Sequence, residues 1–150
     1  MKVIFLDIDG VLNSHKYDMT RSEKDGNIDV SRLELVKELV DRTGAEIVLT
    51  STWREHWDPK GADTDAVGAE LVGTFARCGL RLYDKTPVIG DRAQEISEWL
   101  GQNTGVDKYV IFDDIKLGWG ELADAVITTD YRIGRGLERT HIERAAEKLK

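Results

Sequence analysis

Residues 2–12 read KVIFLDIDGVL, an apolar run that ends in two aspartates, Asp7 and Asp9, followed at once by Gly10. The run Val3-Ile4-Phe5-Leu6 lacks polar alternation, as expected for a strand covered on both faces of a parallel sheet. Side chains alternate faces along a strand, but the chain leaves the strand at Asp7. A loop there can turn both carboxylates toward one cation or phosphate. Gly10 permits backbone conformations that a side chain would forbid. A bare Asp-x-Asp is also an ordinary solvated strand end; the downstream pattern decides for a site.

Apolar, β-branched runs alternate with amphipathic stretches over the rest of the chain, which predicts an α/β domain with a mainly parallel sheet. Strands are expected at Lys2–Leu6, Ala45–Thr50, a weaker Arg81–Tyr83, Tyr109–Phe112 and Ala125–Thr128. Ser31-Arg32-Leu33-Glu34 matches a capping box and is followed by Leu33, Val36, Leu39 and Val40 at helical spacing, up to Gly44. Further helices are expected over Thr64–Cys78, from about Arg92 to Leu100 with Gly101 terminating, and from a Thr140–Glu143 capping box to the C-terminus. Right-handed crossovers wind this order into a three-layer α/β/α sandwich, Rossmann-like, with residues 1–150 as one domain. Ligands of such sheets sit beyond the carboxyl ends of the strands. Three strand ends here carry Asp7 and Asp9, Thr50-Ser51-Thr52, and Asp113-Asp114, so hydroxyls and paired acids gather at one edge.

Composition narrows the function classes. With 21 Lys and Arg against 28 Asp and Glu the formal charge is −7, which argues against extended duplex binding but not against a nucleotide or a nucleic-acid end held by a few local cations. No apolar run approaches the ~20 residues that span a bilayer. The N-terminal stretch, broken at once by aspartates, does not read as a signal peptide. The single cysteine, Cys78, rules out an internal disulfide, fits a reducing cytoplasm, and reads as a packing residue. Nothing in the sequence fixes an oligomeric state.

Four carboxylates at one edge repel unless a cation sits among them. Oxygen-only ligation suits Mg²⁺, with Asp7, Asp9, Asp113 and Asp114 as its candidate ligands. His15, His56 and His141 are scattered and show no zinc spacing. An aspartate beside Mg²⁺ can attack phosphorus to give an aspartyl-phosphate that water then hydrolyses. Asp7, the last and most rigidly held, is the candidate nucleophile, and Asp9 the candidate general acid and base. Thr50, with Ser51 as the alternative hydroxyl, would hold a phosphoryl oxygen. A cation must offset the transferring group; Arg92, at a helix start, is favoured over Lys85 in the loop after the weak third strand. Arg54 could add a bidentate phosphate contact. Its neighbour Trp53 could stack on a base, or the two could be core filler and an ion-pair partner. Trp119, between two glycines, is a further candidate for the entrance of the site.

In this order and spacing the chain resembles the haloacid dehalogenase (HAD) superfamily of phosphohydrolases. DIDGVL resembles its first motif, IVLTST the second, Arg92 or Lys85 supplies the third, and IFDD resembles the fourth. The resemblance implies Asp7 as nucleophile, Asp9 as general acid and base, Thr50 as phosphate-binding hydroxyl and Asp113-Asp114 as the acidic metal site. An acid at position 9 points to phosphoryl chemistry, since the superfamily's dehalogenases lack it. The third motif most often carries lysine, so Arg92 departs from the pattern. A closer similarity is to small HAD domains associated with RNA-repair proteins and found alone in phages and bacteria. It is carried by Ser51-Thr52-Trp53-Arg54, by Arg92-Ala93-Gln94-Glu95-Ile96 with Trp99-Leu100, and by Thr129-Asp130.

Only Asn13–Val30 separates the first strand from the capped helix, too little for a globular cap. The site is therefore expected to be open, screened by a flap containing Ser14-His15-Lys16-Tyr17 and a loop around Trp57-Asp58-Pro59. The expected function is a Mg²⁺-dependent phosphomonoesterase working through an aspartyl-phosphate, on nucleotides or nucleic-acid ends. The alternatives are a small-metabolite phosphatase and a catalytically silent binding domain with the same fold.

Overall fold

The computed structural model describes residues 1–150. Five strands, β1 (Lys2–Leu6), β2 (Glu46–Leu49), β3 (Leu82–Lys85), β4 (Lys108–Asp113) and β5 (Val126–Thr128), form one sheet in the order β3-β2-β1-β4-β5. Every pairing is parallel. Around it stand α1 (His15–Thr20), α2 (Val30–Thr43), α3 (Ala66–Arg77), α4 (Arg92–Gln102) and α5 (Arg139–Lys148).

Side chains of β1 alternate between two cores, as strand geometry requires. Ile4 and Leu6 join Ile47, Leu49, Val110 and Phe112 beneath α2, α3 and α5, whose Leu33, Phe75 and Ile142 are fully buried. Val3 and Phe5 face the other way, onto Ile96 and Trp99 of α4 and Trp119 and Leu122 of a short 3₁₀ segment. Helices thus cover both faces, and the sandwich read from the sequence is present. No helix is long and apolar enough to cross a membrane. Cys78 is half-buried and packs against the larger core.

Several boundaries differ from the sequence expectation, each because another side chain makes the cap. The α2 cap is Asp29, whose Oδ1 accepts from Ser31 N at 3.1 Å and from the Ser31 hydroxyl at 2.6 Å; Ser31 lies inside the helix. Asp65 caps α3 through Gly68 N at 3.0 Å. Before α5, Glu138 N donates to His141 Nδ1 at 2.9 Å, so no Thr140–Glu143 box forms. Gly101 does not stop α4, which runs on to Gln102 until Asn103 folds back and donates from Nδ2 to Trp99 O at 2.8 Å. The expected flap is the short helix α1, capped by Ser14 and tied down by the Tyr17 hydroxyl, which donates to Ile28 O at 3.0 Å.

The register extends past the strand ends and lines up the functional edge. Leu6 pairs with Leu49 on one side and Phe112 on the other. One residue further, Asp7 N donates to Phe112 O at 3.1 Å and Thr50 N to Leu6 O at 3.0 Å; Thr86 N reaches Leu49 O and Thr129 N reaches Asp113 O, both at 3.0 Å. Asp7, Thr50, Thr86, Asp113 and Thr129 therefore form a row across the sheet. Phe5 anchors the middle of that sheet, edge-on to Trp99 at 5.4 Å and to Tyr109 at 5.8 Å. Phe5→Ala should cost about 3–5 kcal/mol in urea unfolding, the range for emptying a buried aromatic site.

Candidate active site

Asp7 and Asp113 leave adjacent strands side by side, and the next residue, Asp114, turns back toward them. One carboxylate oxygen from each lies within 4.8 Å of the others. Asp7 and Asp113 are buried, Asp114 half-buried. Gly10 makes this approach possible: its φ is +84°, and a Cβ there would lie 2.3 Å from Asp114 Oδ2 and 2.9 Å from Asp114 Cβ. Both its conformation and its lack of a side chain are required. The Thr129 hydroxyl holds the same turn, donating to Gly10 O at 2.6 Å.

Crowding shows in the titration of these groups. Burial, then the charge of Asp113, pushes Asp7 up to about 7, while Arg92 pulls against the shift. Asp114 is also raised, by burial and then by Asp113. Arg92 is the only cation at the centre: Nη1 lies 2.6 Å from Asp113 Oδ2, 3.5 Å from Asp7 Oδ2 and 3.5 Å from Thr50 Oγ1. One guanidinium against three carboxylates leaves an all-oxygen, net-negative nest, and this donor set suits a hard divalent ion such as Mg²⁺.

Asp9 stands apart from that nest. Its side chain is exposed and is not among the clustered carboxylates; it therefore leaves the metal set read from the sequence. Its Oδ1 accepts from Asn13 Nδ2 at 3.0 Å and its Oδ2 from Trp53 Nε1 at 3.1 Å. Trp53 is thus neither plain core filler nor a free stacking platform: it fixes an acid. Asn13 also accepts from Gly10 N at 2.9 Å and donates to Asn27 O at 3.0 Å.

Three other expected residues are placed differently. Arg54 is not a phosphate ligand. Nε donates to Thr86 O at 2.9 Å, Nη1 to Thr50 O and Ser51 O at 2.8 Å each, and Nη2 to Pro87 O at 3.0 Å. Nη2 also forms an ion pair with Glu95 Oε2 at 3.0 Å, so the guanidinium is committed inside the protein. Lys85 ends β3 and donates to Arg54 O at 2.9 Å and to Trp57 O, so it is fastened to the 3₁₀ turn Thr52–His56 and away from the carboxylates. Ser51 caps that turn, its hydroxyl accepting from Trp53 N at 3.2 Å. Trp119 is buried and donates from Nε1 to Ile115 O at 2.8 Å; it braces the loop after β4 from below and does not line an entrance.

Glu95, named in the sequence only within the stretch that carries the closer family similarity, is buried on α4. Its Oε2 accepts from Ile89 N at 2.8 Å and Gly90 N at 3.3 Å besides Arg54, and its Oε1 lies 3.7 Å from Arg92 Nε. The chain Arg54–Glu95–Arg92–Asp113 so connects the loops after β2 and β3 and the start of α4 to the carboxylate nest. Next to the nest a cavity of about 730 Å³ opens, lined by Asp9 and Asp114 on the side of the nest and by Lys116 and residues 129–133 beyond.

With this geometry in hand, one comparison is decisive: the family model for the HAD domain in Swiss Army Knife RNA repair proteins matches residues 3–142. The chain belongs to this HAD family. A search of the curated proteins finds no match. The HAD match supports a phosphohydrolase in general terms and agrees with the order of motifs along the chain.

Two outcomes follow for this HAD domain. Arg54→Lys, which leaves Glu95 and four carbonyl contacts without their fork, should lower stability by about 3–5 kcal/mol in urea unfolding, the range for a broken buried pair. For Asp7 the sign is set by a folded-state pKa of about 7 against an ordinary 3.8. The folded metal-free protein holds a proton that the unfolded chain has lost, so this contribution is full below pH 3.8 and is gone above pH 7. Thermal melts without metal should therefore show Asp7→Asn more stable than wild type at pH 8, with the gap closing toward pH 4. Mg²⁺ should raise the wild-type midpoint more at pH 8 than at pH 5, and raise that of Asp7→Asn less.

Proposed function

We propose that this HAD domain is a Mg²⁺-dependent phosphomonoesterase that forms an aspartyl-phosphate on Asp7 and acts on a phosphorylated nucleotide or nucleic-acid end. The observation that carries the reading is the convergence of Asp7, Asp113 and Asp114 within 4.8 Å, with Asp114 and Asp9 lining the adjoining cavity.

In this reading a carboxylate oxygen of Asp7 bonds to phosphorus as the ester P–O bond breaks. Asp9, in its acid form, gives its proton to the departing oxygen. The resulting Asp9 carboxylate then takes a proton from water, whose oxygen attacks the acyl phosphate; inorganic phosphate leaves and Asp7 is restored. Asn13 and Trp53 each hold one oxygen of Asp9, which limits the directions in which its proton can be passed. Arg92 and the Thr50 hydroxyl, 3.5 Å apart beside Asp7, are the donors for the equatorial phosphoryl oxygens. Asp7, Asp113 and Asp114 would hold Mg²⁺, which when bound would supply the positive charge that offsets an anionic ester beside an anionic nucleophile.

The deciding experiment incubates the protein with Mg²⁺ and a panel of phosphate esters: p-nitrophenyl phosphate, nucleotides, sugar phosphates and phosphorylated oligonucleotides. Turnover is expected, together with a covalent phosphoryl label that hydroxylamine discharges. Asp7→Asn should abolish both, a loss of at least about a thousandfold, while circular dichroism stays unchanged; substantial remaining turnover would refute the nucleophile assignment. A preference for sugar phosphates over nucleotides would favour the small-metabolite phosphatase. Silence toward every ester would favour a binding domain.

A further inference from the structure

Arg92 has two tasks that one guanidinium does not perform at once. As a donor to the phosphoryl oxygens it must turn toward the ester, yet in the structure it is seated among the carboxylates. Asp7 and Asp113 each commit one oxygen to backbone: Asp7 Oδ1 accepts from Ile8 N and Asp113 Oδ1 from Ile115 N, both at 2.9 Å. Their Oδ2 atoms remain, and both face Arg92 Nη1, Asp7 at 3.5 Å and Asp113 at 2.6 Å. The guanidinium nitrogen thus lies against the pair of oxygens left for a hard cation.

The surroundings of Arg92 allow it to leave that seat without leaving the site. Thr50 Oγ1, the hydroxyl assigned to a phosphoryl oxygen, lies 3.5 Å from the same Nη1. Glu95 Oε1, 3.7 Å from Arg92 Nε, holds the root of the guanidinium over α4. Glu95 is itself fixed by Arg54 at 3.0 Å and by Ile89 N at 2.8 Å, so it serves as a pivot about which the fork can swing. The Arg92 side chain is 16% exposed against 0% for Asp113; an incoming anion can therefore reach it. A divalent ion on Asp113 Oδ2 would set a second positive charge beside the guanidinium, in a partly buried place where like charges repel strongly.

We infer that Arg92 is a resident counter-ion that a divalent metal must displace from Asp113, and that a phosphoryl group captures beside Thr50 once it is released. The inference rests on the reading of Asp7, Asp113 and Asp114 as a metal site for phosphoryl chemistry, and it adds a regulation to that site. Each ligand frees what the other needs. The metal releases the guanidinium that the anion binds, and the anion draws off the guanidinium that hinders the metal. Affinities linked in this way are linked reciprocally, so metal and phosphate each bind weakly alone and more tightly together. Between turnovers the nest keeps its own positive charge. Were Arg92 there only to steady Asp7, Nη1 would sit nearer to Asp7 than to Asp113; the reverse holds.

The test is titration calorimetry of the whole protein with Mg²⁺, with and without saturating inorganic phosphate, a measurement that needs no turnover. In wild type, phosphate is expected to tighten Mg²⁺ binding by about tenfold. Arg92→Gln should bind Mg²⁺ alone about tenfold tighter than wild type, and phosphate should tighten it further by no more than about threefold, the part due to direct contact of metal and phosphate. Lys116→Gln removes a neighbouring cation that is paired with Asp130 at 3.7 Å and mostly in solvent. It should change Mg²⁺ affinity by less than about twofold. If circular dichroism shows that Arg92→Gln does not fold, Arg92→Lys, which loses the planar fork, carries the test with the same signs at about threefold. Mg²⁺ affinity that Arg92→Gln leaves equal or lowers would overturn the inference, as would a phosphate effect kept in full by that variant, or an equal gain in Lys116→Gln. Failure of Mg²⁺ to bind both wild type and Arg92→Gln overturns it as well. The expected binding results without turnover of any ester would remove the phosphomonoesterase reading and leave the displacement of Arg92 established.

Discussion

Everything at the carboxyl edge depends on forcing like charges together and holding them there. A parallel sheet can do this because its register is set far from the site, by fully buried residues such as Leu6, Leu49 and Phe112. Once those pair, Asp7 and Asp113 have no freedom to separate: Asp7 directly follows β1, whose ladder continues one residue further, and Asp113 is the last residue of β4. Hydrophobic burial along the strands thus offsets the electrostatic cost at their ends. The raised pKa of Asp7, whose first cause is burial and whose second is Asp113, is the visible trace of that opposition. A site arranged this way has a standing affinity for positive charge, and in the protein alone Arg92 is what meets it.

Arg92 is in turn only as well placed as its supports. Glu95 sits one turn further along α4 and faces two arginines, Arg92 at 3.7 Å and Arg54 at 3.0 Å. Arg54 holds the carbonyls of Thr50, Ser51, Thr86 and Pro87, so the loops after β2 and β3 are locked to the start of α4. Buried ion pairs seldom add much net stability, because desolvation consumes their attraction. This one has a different use: it converts two loops and a helix N-terminus into a single rigid part. The hydroxyl of Thr50 and the guanidinium of Arg92 are carried on that part, so their separation is fixed by backbone contacts and not by side-chain chance.

This division of labour explains what was legible in the sequence. The strands were readable because buried parallel strands are continuous apolar runs, and the row Asp7, Thr50, Asp113 followed because each residue directly ends such a run. Arg92 was readable because a helix start before β4 must lie at that edge. The residues that were misread are those whose role depends on contacts far along the chain. Arg54 has the composition of a phosphate ligand and the right position in sequence, yet its partners are backbone carbonyls at residues 86 and 87, which leave no trace in side-chain identity. Glu95 and Asn13 are silent for the same reason. The sequence is compatible with Trp53 as stacking platform or core filler, and the structure gives it a third part through its Nε1, the hydrogen bond to Asp9. Helix caps shifted by one or two residues because Asp29, Asp65 and Glu138 compete with nearby Ser and Thr for the same role, and sequence alone does not say which side chain meets the free N–H groups.

Without a cap domain, exclusion of water and choice of substrate must come from short elements near the edge. Here α1 is pinned by Tyr17 to the carbonyls of residues 25–28 and by His15 to Tyr131, so the first loop and the last one are joined across the mouth of the cavity. That bridge stiffens the outer wall while leaving its tips, Leu117 and Ile133, in solvent. Openness at this edge is therefore a consequence of how the carboxylate nest is built, on strand ends with no insertion large enough to cover them.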